Sequence, residues 1–400
     1  MIDLKTLQKL KLELFNSLIA EAKQSLAKLP KEHRKKSESV LKQYIDTKSI
    51  AGLELWVNGV SEHLYFSEAM KDLKEIGNDS TLLTEFQSAF TETLKADFGV
   101  EDFRFIEWER AKPKYPILQG LLKTYCDQAL TPCYTLNDNV FLGTESDLTT
   151  FEKADGPSKK GVKVKIVRKK TPKEKLIQIQ EAQEFLETFW PDGFALYKLL
   201  TDKLHIVQSN GLVSYSHFHE QGISYINFID RDILESIDDL IHENAHHHLN
   251  LILKKYNLIK KEFKDDIFYS PWRKTLRPLY GIFHATFTFS YAALLFYHIA
   301  KSENWTYTDL DETYKQRAYF RFAEETLYVQ YSLFDLHWAI DKGLFTAKGI
   351  SLIESLEKYN QECLSFLPDV KKKIKSKDLK HELDQVQKVL RECRAKYKLA

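Results

Sequence analysis

Residues 232–257 read Asp232-ILESIDDLIHENAHHHLNLILKKY-Asn257, and this stretch decides how the rest of the chain is read. Ile233, Leu234, Ile237, Leu240, Ile241, Ala245, Leu249, Ile252 and Leu253 recur at helical spacing, which predicts a helix with one face in a core. Within it, His242-Glu243-Asn244-Ala245-His246 is an H-E-x-x-H. One helical turn brings two imidazoles to about 5–6 Å, close enough to share a metal ion. Both fall inside the apolar stripe, where an imidazole needs a partner. Chance alone gives this pentapeptide about three times in a hundred chains of this composition, so the motif needs support from elsewhere. Core histidines bonded to their neighbours are the competing reading. His247 and His248 lie about 100° and 200° further round and read as packing or solvent histidines.

Support comes from the segment downstream. Tyr269-Ser270-Pro271-Trp272-Arg273-Lys274-Thr275-Leu276-Arg277-Pro278 precedes Leu279–Ala300, a run without Asp, Glu, Lys or Arg that carries His284. Arg273 and Arg277, fixed between two prolines, form a candidate carboxylate clamp, because a guanidinium fork matches a carboxylate. Pairing with surface acids such as Asp265 and Asp266 is the competing reading. Leu279–Ala300 is long enough to cross a bilayer. His284, His298 and its hydroxyl side chains favour a helix buried in the protein instead, so no membrane is expected.

Composition bounds the remainder. The chain has 400 residues, 43% of them hydrophobic, which excludes a wholly disordered protein. Its formal charge of +1 gives no basic excess for a nucleic-acid partner. Only 14 Gly and 10 Pro argue for helices over a loop-rich β-sandwich. The expected class is mainly α with a small β portion (α+β). A helical N-terminal region (1–155) is expected first, then a basic linker with an edge strand (156–175). A metal-binding catalytic domain (176–345) and C-terminal helices (346–400) follow. In the second half, Leu204–Gln208, Leu212–Tyr215 and Gly222–Phe228 read as strands of a small antiparallel sheet. Asn210-Gly211 signals a hairpin between the first two. Cys126, Cys133, Cys363 and Cys393 match no disulfide framework or common zinc spacing and read as reduced thiols of a cytoplasmic protein. The first residues lack the apolar core of a secretory signal.

Taken together, Gly222–Asn227, Leu240–His246, Ser270-Pro271-Trp272-Arg273, Arg277-Pro278 and Gly281-Ile282-Phe283-His284 resemble the HExxH-motif peptide-modification proteins over roughly residues 200–300. That family usually has acids after Pro-Trp-Arg, where this chain has Lys274-Thr275-Leu276. The resemblance implies a non-haem Fe(II), 2-oxoglutarate-dependent oxygenase that uses dioxygen to hydroxylate the β-carbon of a residue in a peptide or protein substrate. On that reading His242 and His246 hold the iron. His284 is the expected third ligand, with Glu324 or Glu325 as competitors. Arg273 or Arg277 holds the cosubstrate, and Glu243 orients a ligand or a water.

Two other readings follow from the same residues. A zinc metallopeptidase would use the same histidines with Glu243 as general base. A helical interaction protein would use them for packing only. His217 and His219 are secondary pocket candidates, although surface histidines is the plainer reading. Tyr215, Tyr225 and Trp272 are candidates for a substrate groove or for core packing.

Overall fold

The computed structural model describes most of residues 3–57, isolated positions to Glu85, the strand segments 134–137, 140–142 and 165–166, and most of 173–399. The predicted helix over 64–76, nearly all of 80–98, Cys126, Cys133 and His219 lie outside the described residues. The chain divides into two compact units, one of residues 1–11, 134–142 and 155–400, the other of 12–133 and 143–154.

In the smaller unit, the later turns of α1 (Leu4–Lys28) and α2 (Lys31–Asp46) share a core. Leu18, Ala22, Leu41, Tyr44, Leu53 and Trp56 are buried together there. Nothing in that core has catalytic spacing.

The larger unit is a mixed sheet covered by helices. Its strands are β1 (Tyr134–Asn137), β2 (Val140–Leu142), β3 (Lys165–Ile166), β4 (Lys203–Gln208), β5 (Tyr215–Ser216) and β6 (Ile223–Asn227), in the order β1-β2-β4-β6-β5 with β3 also on β4. β1 and β2 supply strands that a purely helical reading of 1–155 does not contain. β3 lies where the basic edge strand is expected, antiparallel to β4.

The small sheet is not simply antiparallel: Asn210-Gly211 lies outside the described residues, and the flanking strands β4 and β5 each pair β6 rather than one another. β4 runs parallel to β6, with Leu204 opposite Ser224 and Ile206 opposite Ile226, while the short β5 pairs β6 antiparallel. The reason is burial. Every residue of β6 is buried, so it takes an interior place between β4 and β5 that a half-wet strand cannot occupy, and β5 is left at the edge. A tight connection lies at the turn entering β6. There Gly222 has φ of 91°, and a Cβ would lie 2.6 Å from Asp202 Oδ2.

The helices are α3 (Lys173–Phe189), α4 (Pro191–Leu200), α5 (Ile233–Leu253), α6 (Leu279–Lys301), α7 (Glu312–Asp341), α8 (Ala347–Lys373) and α9 (Lys377–Lys396). A two-stranded hairpin, β7 (Phe268–Ser270) and β8 (Thr275–Arg277), lies between α5 and α6. The fold class is therefore mainly α with a small β portion, as the sequence predicts.

α5 begins at a full capping box. Asp232 Oδ1 accepts from Glu235 N at 3.0 Å, and Glu235 Oε2 accepts from Asp232 N at 3.1 Å. α5 packs on β5 and β6 on one side and on α6 on another. α6 is apolar and long enough to span a membrane by composition, and here 72% of its most apolar window is buried against its neighbours. Cys363 on α8 is buried and Cys393 on α9 half-buried, and neither is in a disulfide.

The start of α8 docks on the strand-like segment after α5. Thr346 caps the helix through Gly349 N and also donates from its backbone to Leu258 O at 2.9 Å. A Cβ on Gly349 would meet Leu258 O at 2.2 Å, a contact with backbone that a rotamer change cannot relieve. Gly349→Ala is expected to cost about 2–3 kcal/mol, read as a lowered urea midpoint at unchanged slope. A midpoint like wild type would mean that α8 shifts freely.

Candidate metal centre

α5 presents two neighbouring polar rows, each spaced by one turn. Asp239, Glu243 and His247 form the row facing the sheet. Ser214 Oγ donates to Asp239 at 2.8 Å, Ser216 Oγ donates to Glu243 Oε2 at 2.7 Å, and Gly222 N donates to His247 Nδ1 at 3.2 Å. Ser224 Oγ meets the other His247 nitrogen at 2.9 Å, so this ring is fully partnered. His248 bonds the Tyr291 hydroxyl and packs edge-on against Phe287. Both are packing histidines, and neither faces solvent.

The second row is Asp238, His242 and His246. His242 and His246 stand with ring centroids 4.8 Å apart, and His284 from α6 meets His246 at 4.6 Å. His246 Nδ1 lies 3.4 Å from His284 Nε2. That separation is long for a hydrogen bond, whose usual length is about 3.0 Å. It equals the span of two nitrogens on one tetrahedral ion at metal–nitrogen distances near 2.1 Å, about 3.4 Å. One donor atom each from His242, Glu243 and His246 also falls within a 4.8 Å cluster.

Electrostatics favour the same use. Burial pushes His242 down to about 3 and His284 to about 4, and holds His246 well below the ordinary imidazole range. The neighbouring rings and the arginine charges push the same way: Arg273 and Arg321 on His242, Arg277 on His284. All three rings are therefore neutral near pH 7, with a lone pair free for a cation. Glu243 moves oppositely. Burial raises its carboxyl to about 8, with the Ser216 hydrogen bond only partly offsetting this.

The β7–β8 turn carries the arginines. Lys274 closes it in a left-handed conformation (φ 55°) and donates to Ser270 O at 2.8 Å. Among the described residues neither Arg273 nor Arg277 has an ion pair, and neither reaches Asp265 or Asp266. Arg277 folds over the first turn of α6, where a Cβ on Gly281 would lie 3.1 Å from its Nε. Tyr280, 46% exposed, stands beside His284 at 5.6 Å.

Glu324 and Glu325 are engaged elsewhere. Glu325 is fully buried. Its Oε2 accepts from Trp272 Nε1 at 2.8 Å, and its Oε1 lies 2.8 Å from Arg321. Arg321 also binds Glu324 at 2.9 Å and Asp238 at 2.5 Å. Trp272 lies flat on Phe289 at 4.4 Å, and Phe289 packs on the His242 ring at 4.4 Å. Tyr215 and Tyr225 stack on each other across β5 and β6, with the His217 ring edge-on to both, so they serve the core of the sheet.

The structure thus sets His246 between His242 and His284, keeps a Glu243 carboxyl oxygen in one cluster with His242 and His246 while its Oε2 accepts from Ser216, and sets Arg273 and Arg277 within electrostatic reach of the rings. Sequence reasoning missed Arg321, Asp238, Phe289 and Ser216. Only the Arg321–Glu325 pair had a signal, its one-turn spacing; the meeting with Asp238 crosses 83 residues and left none.

Compared with known protein families the sequence matches none, and no curated protein matches it either.

Proposed function

We propose that this chain is a mononuclear Fe(II), 2-oxoglutarate-dependent oxygenase that hydroxylates a side chain of a peptide or protein. The observation that supports this reading most directly is the meeting of His284 with His246 beside two arginines that have no anionic partner among the described residues. Three neutral imidazoles suit iron or zinc alike. The arginines favour the oxygenase, because a dicarboxylate cosubstrate needs a cation for its distal end and a peptidase does not.

In this proposal His242, His246 and His284 hold the metal. When bound, iron would supply the oxidising power for C–H hydroxylation as the 2-oxo acid and dioxygen are converted to succinate and carbon dioxide. The protein's own part is orientation and dryness. Arg277, half-buried over α6, binds the distal carboxylate, and Arg273 at the exposed end of the turn adds to the positive field. Trp272 and Phe289 wall the His242 side with apolar rings. Glu243 keeps its proton below about pH 8 and accepts a hydrogen bond from Ser216 on β5.

The zinc peptidase reading draws on the same Glu243, whose carboxyl clusters with the imidazoles. A general base must be ionised, and burial opposes that here. Anaerobically purified protein given Fe(II), ascorbate and 2-oxoglutarate is expected to release succinate. Arg277→Ala is expected to weaken 2-oxoglutarate binding about 10–100-fold, the range for a lost hydrogen bond to a charged group. No succinate and no 2-oxoglutarate binding, together with bound zinc and peptide cleavage that depends on Glu243, would put the peptidase ahead.

A further inference from the structure

The ion cluster behind the site has no role in the chemistry proposed above. It joins α7 to both walls of the imidazole group. Arg321 grips Asp238, one turn before His242 on the same helix, and Glu325, which receives the Trp272 indole N–H. From Trp272 the contact passes through Phe289 to the His242 ring. Arg321 is half-buried and Glu325 fully buried, and such a guanidinium–carboxylate group is seldom better for stability than apolar side chains of the same volume. Its gain is directional, since a carboxylate fixes the donor it accepts from more closely than an apolar contact does.

We infer that Glu325 is the positioning residue of the imidazole site. Lying 2.8 Å from Arg321 through one oxygen, it accepts the Trp272 indole N–H with the other, which pins that ring against Phe289 and thereby sets the ring of His242. Trp272 also begins the turn that bears Arg273, so the same strut keeps the arginine-bearing hairpin registered against α6. The inference rests on the metal-binding part of the proposed function and not on the identity of the metal.

Cobalt(II) is the probe, because its visible bands report ligand geometry independently of turnover. The full chain is titrated as wild type, Glu325→Gln, Glu325→Leu, Trp272→Phe and the double variant Trp272→Phe/Glu325→Leu. Glu325→Leu is expected to bind cobalt about tenfold more weakly, with shifted bands, as for loss of an outer-shell partner. Glu325→Gln, whose side-chain carbonyl still accepts the indole N–H, is expected to restore the wild-type bands. The double variant is expected to match the worse single variant, because both break one contact.

Wild-type affinity and bands in Glu325→Leu, or additive losses in the double variant, would overturn the inference while leaving the metal site intact. If Glu325→Leu fails to fold, Trp272→Phe decides alone: it keeps an aromatic ring at the Phe289 stack and removes the N–H together with part of the indole, and unchanged bands would again overturn it. A wild-type chain that binds no cobalt removes the metal reading and this inference with it.

Discussion

Replacing His246 with alanine is expected to weaken divalent-metal binding more than about 100-fold, beyond what loss of an outer-shell partner costs, and to abolish turnover. His246 is the middle ring of the three. It touches His242 at 4.8 Å and His284 at 4.6 Å between centroids. Its removal leaves two imidazoles without the donor between them. The ring is neutral in the folded protein, so its loss leaves no uncompensated charge, and unfolding should stay cooperative. His248→Gln is the matched control, because His248 is turned toward Tyr291 and should keep the metal. Metal content after anaerobic purification, with a cobalt titration, measures both. Equal metal content in wild type and His246→Ala would reduce the cluster to packing.

The second large effect is a pH dependence in the metal-free protein. Glu243 has a folded-state pKa raised to about 8 by burial, against 4.5 for the exposed group. Between those values the folded state keeps a proton that the unfolded state has lost. Raising the pH through this window therefore destabilises the wild type, by about 1.4 kcal/mol per pH unit from this group. Glutamine at the same place has no proton to lose. The stability of Glu243→Gln relative to wild type is expected to rise steadily from about pH 5 and to level off near pH 8.

Comparing the two proteins at each pH cancels the other shifted groups, which pull in both directions. His247 and His248, pushed down to about 3, favour higher pH, while Asp239 and Asp335, pushed up to about 6, favour lower pH. Urea unfolding in the presence of a chelator gives the measurement. Parallel profiles would mean that Glu243 is ionised in the folded protein, which would return it to contention as a general base.

Much of the site was legible in local pattern. The H-E-x-x-H lay on a helix because its flanking apolar residues recur at helical spacing, and an i,i+4 pair on a helix shares a face whatever surrounds it. His284 could be placed on a buried helix because an uncharged run of that length has few other places to go. The orientation of Glu243 could not be read. It stands one residue from His242, about 100° away around the helix, and only the position of β5 decides that this angle brings it to Ser216. The Asn210-Gly211 hairpin misled for a related reason. A turn signal is local, but a strand's partner depends on which strand is buried on both faces, and that is β6.

The amino-acid order by itself determined the helices, the row of histidines on α5 and the uncharged helix behind it, since these depend on residues within a few turns of one another. The tertiary structure alone decided that His284 stands against His246, that Glu325 accepts the Trp272 indole N–H, and that the sheet is mixed. Each of these joins residues dozens of positions apart, and such contacts are selected by how buried faces pack, which no short stretch of chain encodes.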